Sequence, residues 1–171
     1  EKLILYSQLT GVDPTRQAAG VGRALKFEQR RRAREMGIDT IVWAFDPLQA
    51  SNAAFNLAVL GATCCTYEVD LYGPRSDALN AGLATDRLLA EWSTVHDHAG
   101  RAELWPDAVE LIASRDAGEQ RLPLPGRVGP IPAGALHLHI QIPRSIADVK
   151  SEGPAPAARD WQLAVRRAFQ D

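Results

Sequence analysis

The chain has 171 residues, enough for one sizeable core with an appendage, and its formal net charge of -2 with scattered basic residues leaves no basic face for a nucleic-acid backbone. Its uncharged apolar stretches are strand-sized, short of the about 20 residues a membrane-spanning helix needs, and no signal-peptide pattern opens it. The two cysteines, Cys64 and Cys65, are adjacent and alternate faces of a strand, which suits a reducing, cytoplasmic compartment rather than a disulfide framework.

In chain order, Lys2 to Thr10 reads as a strand with Leu3, Leu5 and Leu9 on one face and Ile4 and Tyr6 on the other, apolar on both sides as in a central, doubly covered strand. Val12-Asp13-Pro14 then leads into Gln17-Ala18-Ala19-Gly20-Val21-Gly22, which opens a helix predicted over Val21 to Met36. Two glycines one residue apart between strand and helix let the backbone turn tightly and aim several N–H groups at one point. The helix dipole and the nearby Arg16, Arg23 and Lys26 add positive charge, so the stretch reads as an anion cradle, with an ordinary glycine turn as the plainer alternative. A Walker loop needs a Lys-Ser/Thr pair where Arg23-Ala24 stand, and the dinucleotide fingerprint needs a third glycine where Leu25 stands.

The helix is expected to bury Val21, Leu25 and Met36, to end at Gly37, and to present Arg30, Arg31, Arg32 and Arg34 to water. Asp39 to Phe45 is the next strand, apolar on both faces. Strand, helix and strand in this order predict a right-handed crossover, two parallel strands, and a ligand at their carboxyl ends. Ser51 is placed to cap a helix from Asn52 to Leu60 that turns Phe55, Ala58 and Val59 inward and stops at Gly61.

The stretch from Lys2 to Leu71 resembles the GNAT acyltransferase superfamily, whose pyrophosphate loop follows the pattern Gln/Arg-x-x-Gly-x-Gly/Ala after an aliphatic strand end and a Pro-containing turn. Leu9, Val12 and Pro14 supply that approach, and Gln17, Gly20 and Gly22 the pattern. The resemblance implies an α/β fold with a mixed central sheet flanked by helices. It implies acetyl-CoA or another acyl-CoA as co-substrate, its pyrophosphate on Arg16, Gln17, Ala18, Ala19, Gly20, Val21, Gly22 and Arg23, and its thioester carbonyl on the backbone near Leu9 to Val12. The family has further strands and helices ahead of this loop, so the N-terminal strands are expected to be absent from this chain. Lys2 to Thr10 is then expected to pair along its other edge, with strands of a longer polypeptide or with the same strand of a second subunit in a homodimer. The second helix matches the family pattern in part: Leu57 stands where the tyrosine that protonates the departing thiolate is usual, and leucine has no proton to give. Asn52 and Asn56, one turn apart, are placed to bind cofactor or water, or to be a cap-region and a solvated residue.

Further on, Cys65, Tyr67, Val69 and Leu71 alternate with Thr66, Glu68 and Asp70 in a strand that Tyr72-Gly73-Pro74 stops. Ser76 to Thr85 is a polar connection, and Asp86 to Val95 a strand alternating Leu88, Ala90 and Trp92 against Arg87, Glu91 and Ser93. Asp77, Asn80, Asp86 and Arg87 are candidates for acceptor binding, or members of a capped surface loop. Asp46, at the carboxyl end of the second strand, is the candidate base or ammonium ligand, or a cap before Pro47. Tyr67 and Tyr72 are candidate replacements for the lost acid. Residues 97–108 read as a loop, Val109 to Ser114 and Leu136 to Ile142 as strands joined through a Pro- and Gly-rich connection over Leu122 to Gly134, and Ser151 to Ala157 as a linker. Pro156 opens a last helix with Trp161, Val165, Ala168 and Phe169 on one stripe. His96, His98, His137 and His139 form two i, i+2 pairs without cysteines or a pattern of carboxylates to orient the imidazoles, so no metal is expected.

Two units result, an acyl-CoA-binding core over 1–95 and a C-terminal extension over 96–171. The expected activity moves an acetyl or other short acyl group, succinyl among them, from acyl-CoA to the amine of a small molecule such as an amino acid. A catalytically silent CoA-binding or sensing module, and an enzyme using the cradle for another phosphate ligand, stay open as alternatives.

Overall fold

The computed structural model describes residues 3–13, 15, 20–75, 77, 80, 82–96, 105–117, 120–126, 128–154 and 156–170. Pro14, Arg16, Gln17, Ala18 and Ala19 of the expected cradle, and Asp97 and His98 of the histidine pairs, lie outside the described residues.

A four-stranded mixed sheet with helices packed on it forms the first half. Strand β1 (Ile4–Tyr6) runs parallel to β2 (Thr40–Phe45), joined through helix α1 (Val21–Glu35), as the crossover predicts. Strands β3 (Thr63–Glu68) and β4 (Arg87–Ser93) follow helix α2 (Ala50–Ala54), which continues as a π-helical turn over Phe55–Val59. Strand β4 lies between β2 and β3 and is antiparallel to both, giving the order β1-β2-β4-β3. The core on this sheet is built by strict alternation: Ile41, Trp43 and Phe45 from β2 and Leu88, Ala90 and Trp92 from β4 are buried. Trp92 takes the edges of Phe27 and Trp43 at centroid distances of 5.4 and 6.2 Å.

Three expectations for this half need correction. Strand β1 is short, at one edge of the sheet, and Leu3, Ile4, Tyr6 and Leu9 are exposed rather than doubly covered. Helix α1 buries Lys26 and Ala33, while Leu25 and Met36 face out. Its inward stripe is mostly polar because Gln29 and Arg30 find partners there: Arg30 donates to the Ser93 carbonyl at 2.8 Å and lies 5.2 Å from the Trp92 ring centroid. Arg31, Arg32 and Arg34 meet the expectation of a solvated face, and Arg31 and Arg32 pair there with Glu28 and Glu35 of their own helix. In the second helix Gln49, not Ser51, holds the N-cap position, and the π-turn brings Asn56 inside while Leu57 and Val59 stay exposed.

Beyond β4, β5 (Val109–Ile112) pairs in parallel with β8 (Leu138–Ile140), and β6 (Ser114–Ala117) forms an antiparallel hairpin with β7 (Gln120–Pro125). That hairpin replaces part of the expected connection. Helix α3 (Ile146–Glu152), where a linker was expected to begin, is capped by Ser145, whose hydroxyl accepts the Asp148 N–H, and α4 (Ala157–Gln170) follows. Trp161, Ala164 and Val165 of α4 pack with Ile146, Val149, Ile112 and Leu48 into a second core, which Tyr67 of β3 also touches. The Gln162 amide clasps the backbone of Ala84, donating to its carbonyl at 2.6 Å and accepting its N–H at 3.1 Å.

Candidate functional site

Pairing between β1 and β2 ends where the Ser7 N–H donates to the Val42 carbonyl at 2.8 Å, yet β2 continues through Trp43, Ala44 and Phe45 against β4. The two parallel strands therefore part at their carboxyl ends. A cavity of about 510 Å³ lies in the gap, with Ser7 to Thr10 and Val12 on one wall and Trp43 to Asp46 on the other. Gly22 and Lys26 reach it from α1, Asn52, Phe55 and Asn56 from the second helix, and Tyr72, Asn80 and Arg87 close its far side. A second cavity of about 550 Å³ shares Val12, Gly22, Asn52 and Phe55 with the first and extends to Gly20 and Arg23. Together they make one trough from the amino end of α1 to the gap between the strands.

Gly20 is the turn that starts α1. Its φ of 73° is left-handed, which only glycine adopts without cost, and its carbonyl accepts the first helical bond from Ala24 at 3.0 Å. Val21, Gly22 and Arg23 follow in the first turn, where the free N–H groups and the dipole favour an anion. Arg23 is exposed, with its guanidinium 4.6 Å from the Phe27 ring centroid. Asn52 and Asn56 both line the trough, and the buried Asn56 side-chain amide donates to Asn52 Oδ1 at 3.4 Å.

Asp46 stands at the end of β2, half-buried on the cavity wall. One oxygen accepts the Leu48 N–H at 2.9 Å, so the residue caps its turn as well as facing the cavity. Tyr72 lines the cavity with its ring beneath the guanidinium groups of Arg87 and Arg75, at 5.4 and 5.8 Å, and its hydrogen bond with Tyr6 pushes the Tyr6 phenol up. Tyr67 does not line this cavity. Its hydroxyl donates to Asp86 at 2.8 Å, its ring stacks on Phe169 of α4, and burial with the Asp86 carboxylate pushes its pKa well above the usual tyrosine value. Asp86 is likewise occupied, clasped by Arg166 of α4 at 2.8 and 2.9 Å. Of the acceptor-binding candidates, Asn80 and Arg87 reach the cavity. Arg87 is buried and donates to Asn80 and to the Asp86 carbonyl, both at 2.7 Å. Asp77 accepts the Asn80 side-chain N–H groups at 2.9 and 3.0 Å. His137 stacks on Trp105 at 4.2 Å, and no group of three metal-ligating side chains occurs among the described residues.

Ser7, Lys26 and Trp43 were not foreseen as a group. Lys26 Nζ donates to Ser7 Oγ at 2.9 Å and sits 4.0 Å above the Trp43 ring. The available signal was spacing: Lys26 follows Gly22 by four residues, so the two share a helical face.

No family model and no curated protein matches this chain. Among solved structures it is similar to the ribosomal-protein-S18-alanine N-acetyltransferase from Escherichia coli, with 20% sequence identity and a TM-score of 0.43, over 58% of this chain and 59% of that one. The chain thus spans about six-tenths of the length of that structure.

Proposed function

We propose that the chain is an acyl-CoA dependent N-acyltransferase of the GNAT type, moving an acetyl or other short acyl group, succinyl included, to the amine of a small molecule such as an amino acid. The observation that carries this is the pair of adjoining cavities, sharing Val12, Gly22, Asn52 and Phe55, that lie between the glycine turn at the head of α1 and the gap between two parting parallel strands. A long ligand with an anionic middle and a reactive tip fits it. The pyrophosphate would meet the N–H groups around Gly20 to Gly22, and the pantetheine arm would run past Val12, Asn52 and Phe55 toward the strands.

In the gap, backbone N–H groups of the Leu9 to Val12 segment would polarise the thioester carbonyl as negative charge develops on its oxygen. Asp46 would hold the acceptor amine and take the proton it loses as the new bond forms, and Arg87 with Asn80 would contact the rest of the acceptor. The neutral amine attacks the carbonyl carbon directly, without a covalent enzyme intermediate.

Calorimetric titration with acetyl-, succinyl- and free coenzyme A, and with ATP, tests the reading. The coenzyme A species should bind and ATP should bind at least about 100-fold more weakly, a difference of about 2.7 kcal/mol. Equal affinity for ATP would favour another phosphate ligand. Tight acyl-CoA binding with no transfer to any amine would make the chain a silent binding module.

A further inference from the structure

Lys26 is 5% exposed, yet no carboxylate among the described residues pairs with it. Among the described residues its Nζ meets neutral groups: Ser7 Oγ just after β1 at 2.9 Å, Gln29 Oε1 on its own helix at 3.5 Å, and the face of Trp43 from β2 at 4.0 Å. The other charged and titratable groups that line the same cavity, among the described residues, are Asp46 after β2, Arg87 on β4 and Tyr72 before it. A buried cation without a counter-ion is costly, and an uncharged side chain of the same length would pack there at lower cost. Lys26 nevertheless lines the cavity between the segment Ser7 to Thr10 and Trp43, where the strands part.

Direct transfer leaves a thiolate that needs a proton. Leu57 cannot supply it, Tyr67 is committed to Asp86, and Arg87 does not release protons near neutral pH. Tyr72 lies 43% exposed under two guanidinium groups. We propose that Lys26 is the general acid of the reaction, its ammonium donating a proton to the coenzyme A sulfur as the carbon–sulfur bond breaks; this rests on the acyl-CoA reading above. The amine lone pair forms the new carbon–nitrogen bond, the carbon–sulfur electron pair moves to sulfur, and the Lys26 proton completes the thiol. Asp46 takes the proton that the amine loses, and solvent reprotonates Lys26 between turnovers. Burial pushes the Lys26 pKa down to about 8, close to the value of about 8.5 for an alkyl thiol, so the proton passes with little energetic penalty in either direction.

The test uses the full chain, with acyl-CoA and with an activated aryl thioester of the same acyl group, whose thiolate leaves without a proton. Wild-type kcat with acyl-CoA should fall as pH rises through about 8, and this fall should vanish with the aryl thioester. Lys26→Met should lower kcat with acyl-CoA by about 100-fold with little change in KM, and by much less with the aryl thioester. Lys26→Arg keeps the charge but holds its proton, so it should stay as slow as the Met variant. Recovery by Lys26→Arg, equal losses on both thioesters, or an unchanged wild-type profile between them would overturn the assignment. The two wild-type profiles decide the matter even if the variants fail to fold. A wild-type chain that binds acyl-CoA but transfers nothing removes the transferase reading and this one together, while a rate indifferent to Lys26 removes only this one.

Discussion

At the scale of single residues, Gly20 is the position where conformation and ligand chemistry coincide. Its left-handed φ of 73° sets the direction in which α1 starts, and among the described residues beyond its chain neighbours no atom lies within 4 Å of where a Cβ would stand, so a larger residue there is opposed by the backbone conformation. Gly20→Val should therefore cost about 1–2 kcal/mol of conformational strain at the helix start. If the trough holds coenzyme A, it should also weaken binding by at least about tenfold, because the turn would relax and redirect its N–H groups. Calorimetry on a variant with a native-like melting curve checks this; unchanged affinity removes the cradle. The Gly20-x-Gly22 spacing was legible in the sequence because glycine is read by what the backbone must do. Lys26 was legible only as a basic neighbour of the cradle, since a lysine on a helix is normally solvated and nothing local says that Ser7 and Trp43 will receive it.

Among elements, helix α4 is tied to the sheet by one buried constellation. Asp86, whose side chain is 2% exposed, accepts from Tyr67 of β3, from the Asp70 N–H at 3.1 Å, and from Arg166 of α4, whose side chain is 24% exposed. Burial pushes the Asp86 pKa up, but the hydrogen bonds from Arg166, Tyr67 and Asp70 outweigh it and hold the carboxyl below its usual range. A carboxyl with a lowered folded pKa contributes stability that is present above the unfolded value of about 3.9 and is lost as pH falls through the folded one. Arg166→Leu leaves the carboxylate buried without its cation and should cost about 3 kcal/mol at pH 7. The difference from wild type should shrink below pH 4, where the variant's Asp86 accepts a proton and ceases to be a buried charge. Urea unfolding at the two pH values measures it, and an equal difference at both would show that the pair is not what docks α4. Elements with strict alternation or a heavy apolar stripe were readable: Leu88, Ala90 and Trp92 of β4, and the Trp161 and Val165 stripe of α4; β2, expected to be covered on both faces, buries Ile41, Trp43 and Phe45 and leaves the alternate face half-buried. The β6–β7 hairpin was not, because Pro123 and Pro125 demote a segment that pairs only along one edge. Helix α3 was not legible although Ser145 and Asp148 carry a cap signal, because its seven residues, about two turns, lie beside Gly153-Pro154.

For the whole molecule, two cores meet at Tyr67, one on the sheet and one under α3 and α4. Leu48 from the first half packs into the second core, and no local pattern announces a contact across that many residues. The edge of the sheet carries the last prediction. Because the Ser7 N–H faces β2, alternation turns the Ile4 and Tyr6 N–H groups the other way, toward the open side of β1. Leu3 and Leu9, 69% and 90% exposed, flank this edge beside the half-exposed Ile4 and Tyr6, and no charged side chain, proline or bulge protects the strand itself. Such an edge is a template for another strand. In solution this chain should therefore self-associate through β1 as its concentration rises through the micromolar range, and the Tyr6 amide should exchange slowly in the associated form. Ile4→Lys places a charge on the edge without touching the β1–β2 ladder, so it should shift the chain to monomer while leaving its melting curve intact. Light scattering and residue-resolved hydrogen exchange read both effects. A wild-type chain that stays monomeric at high concentration, with a fast-exchanging Tyr6 amide, would show that β1 is stable as a bare edge.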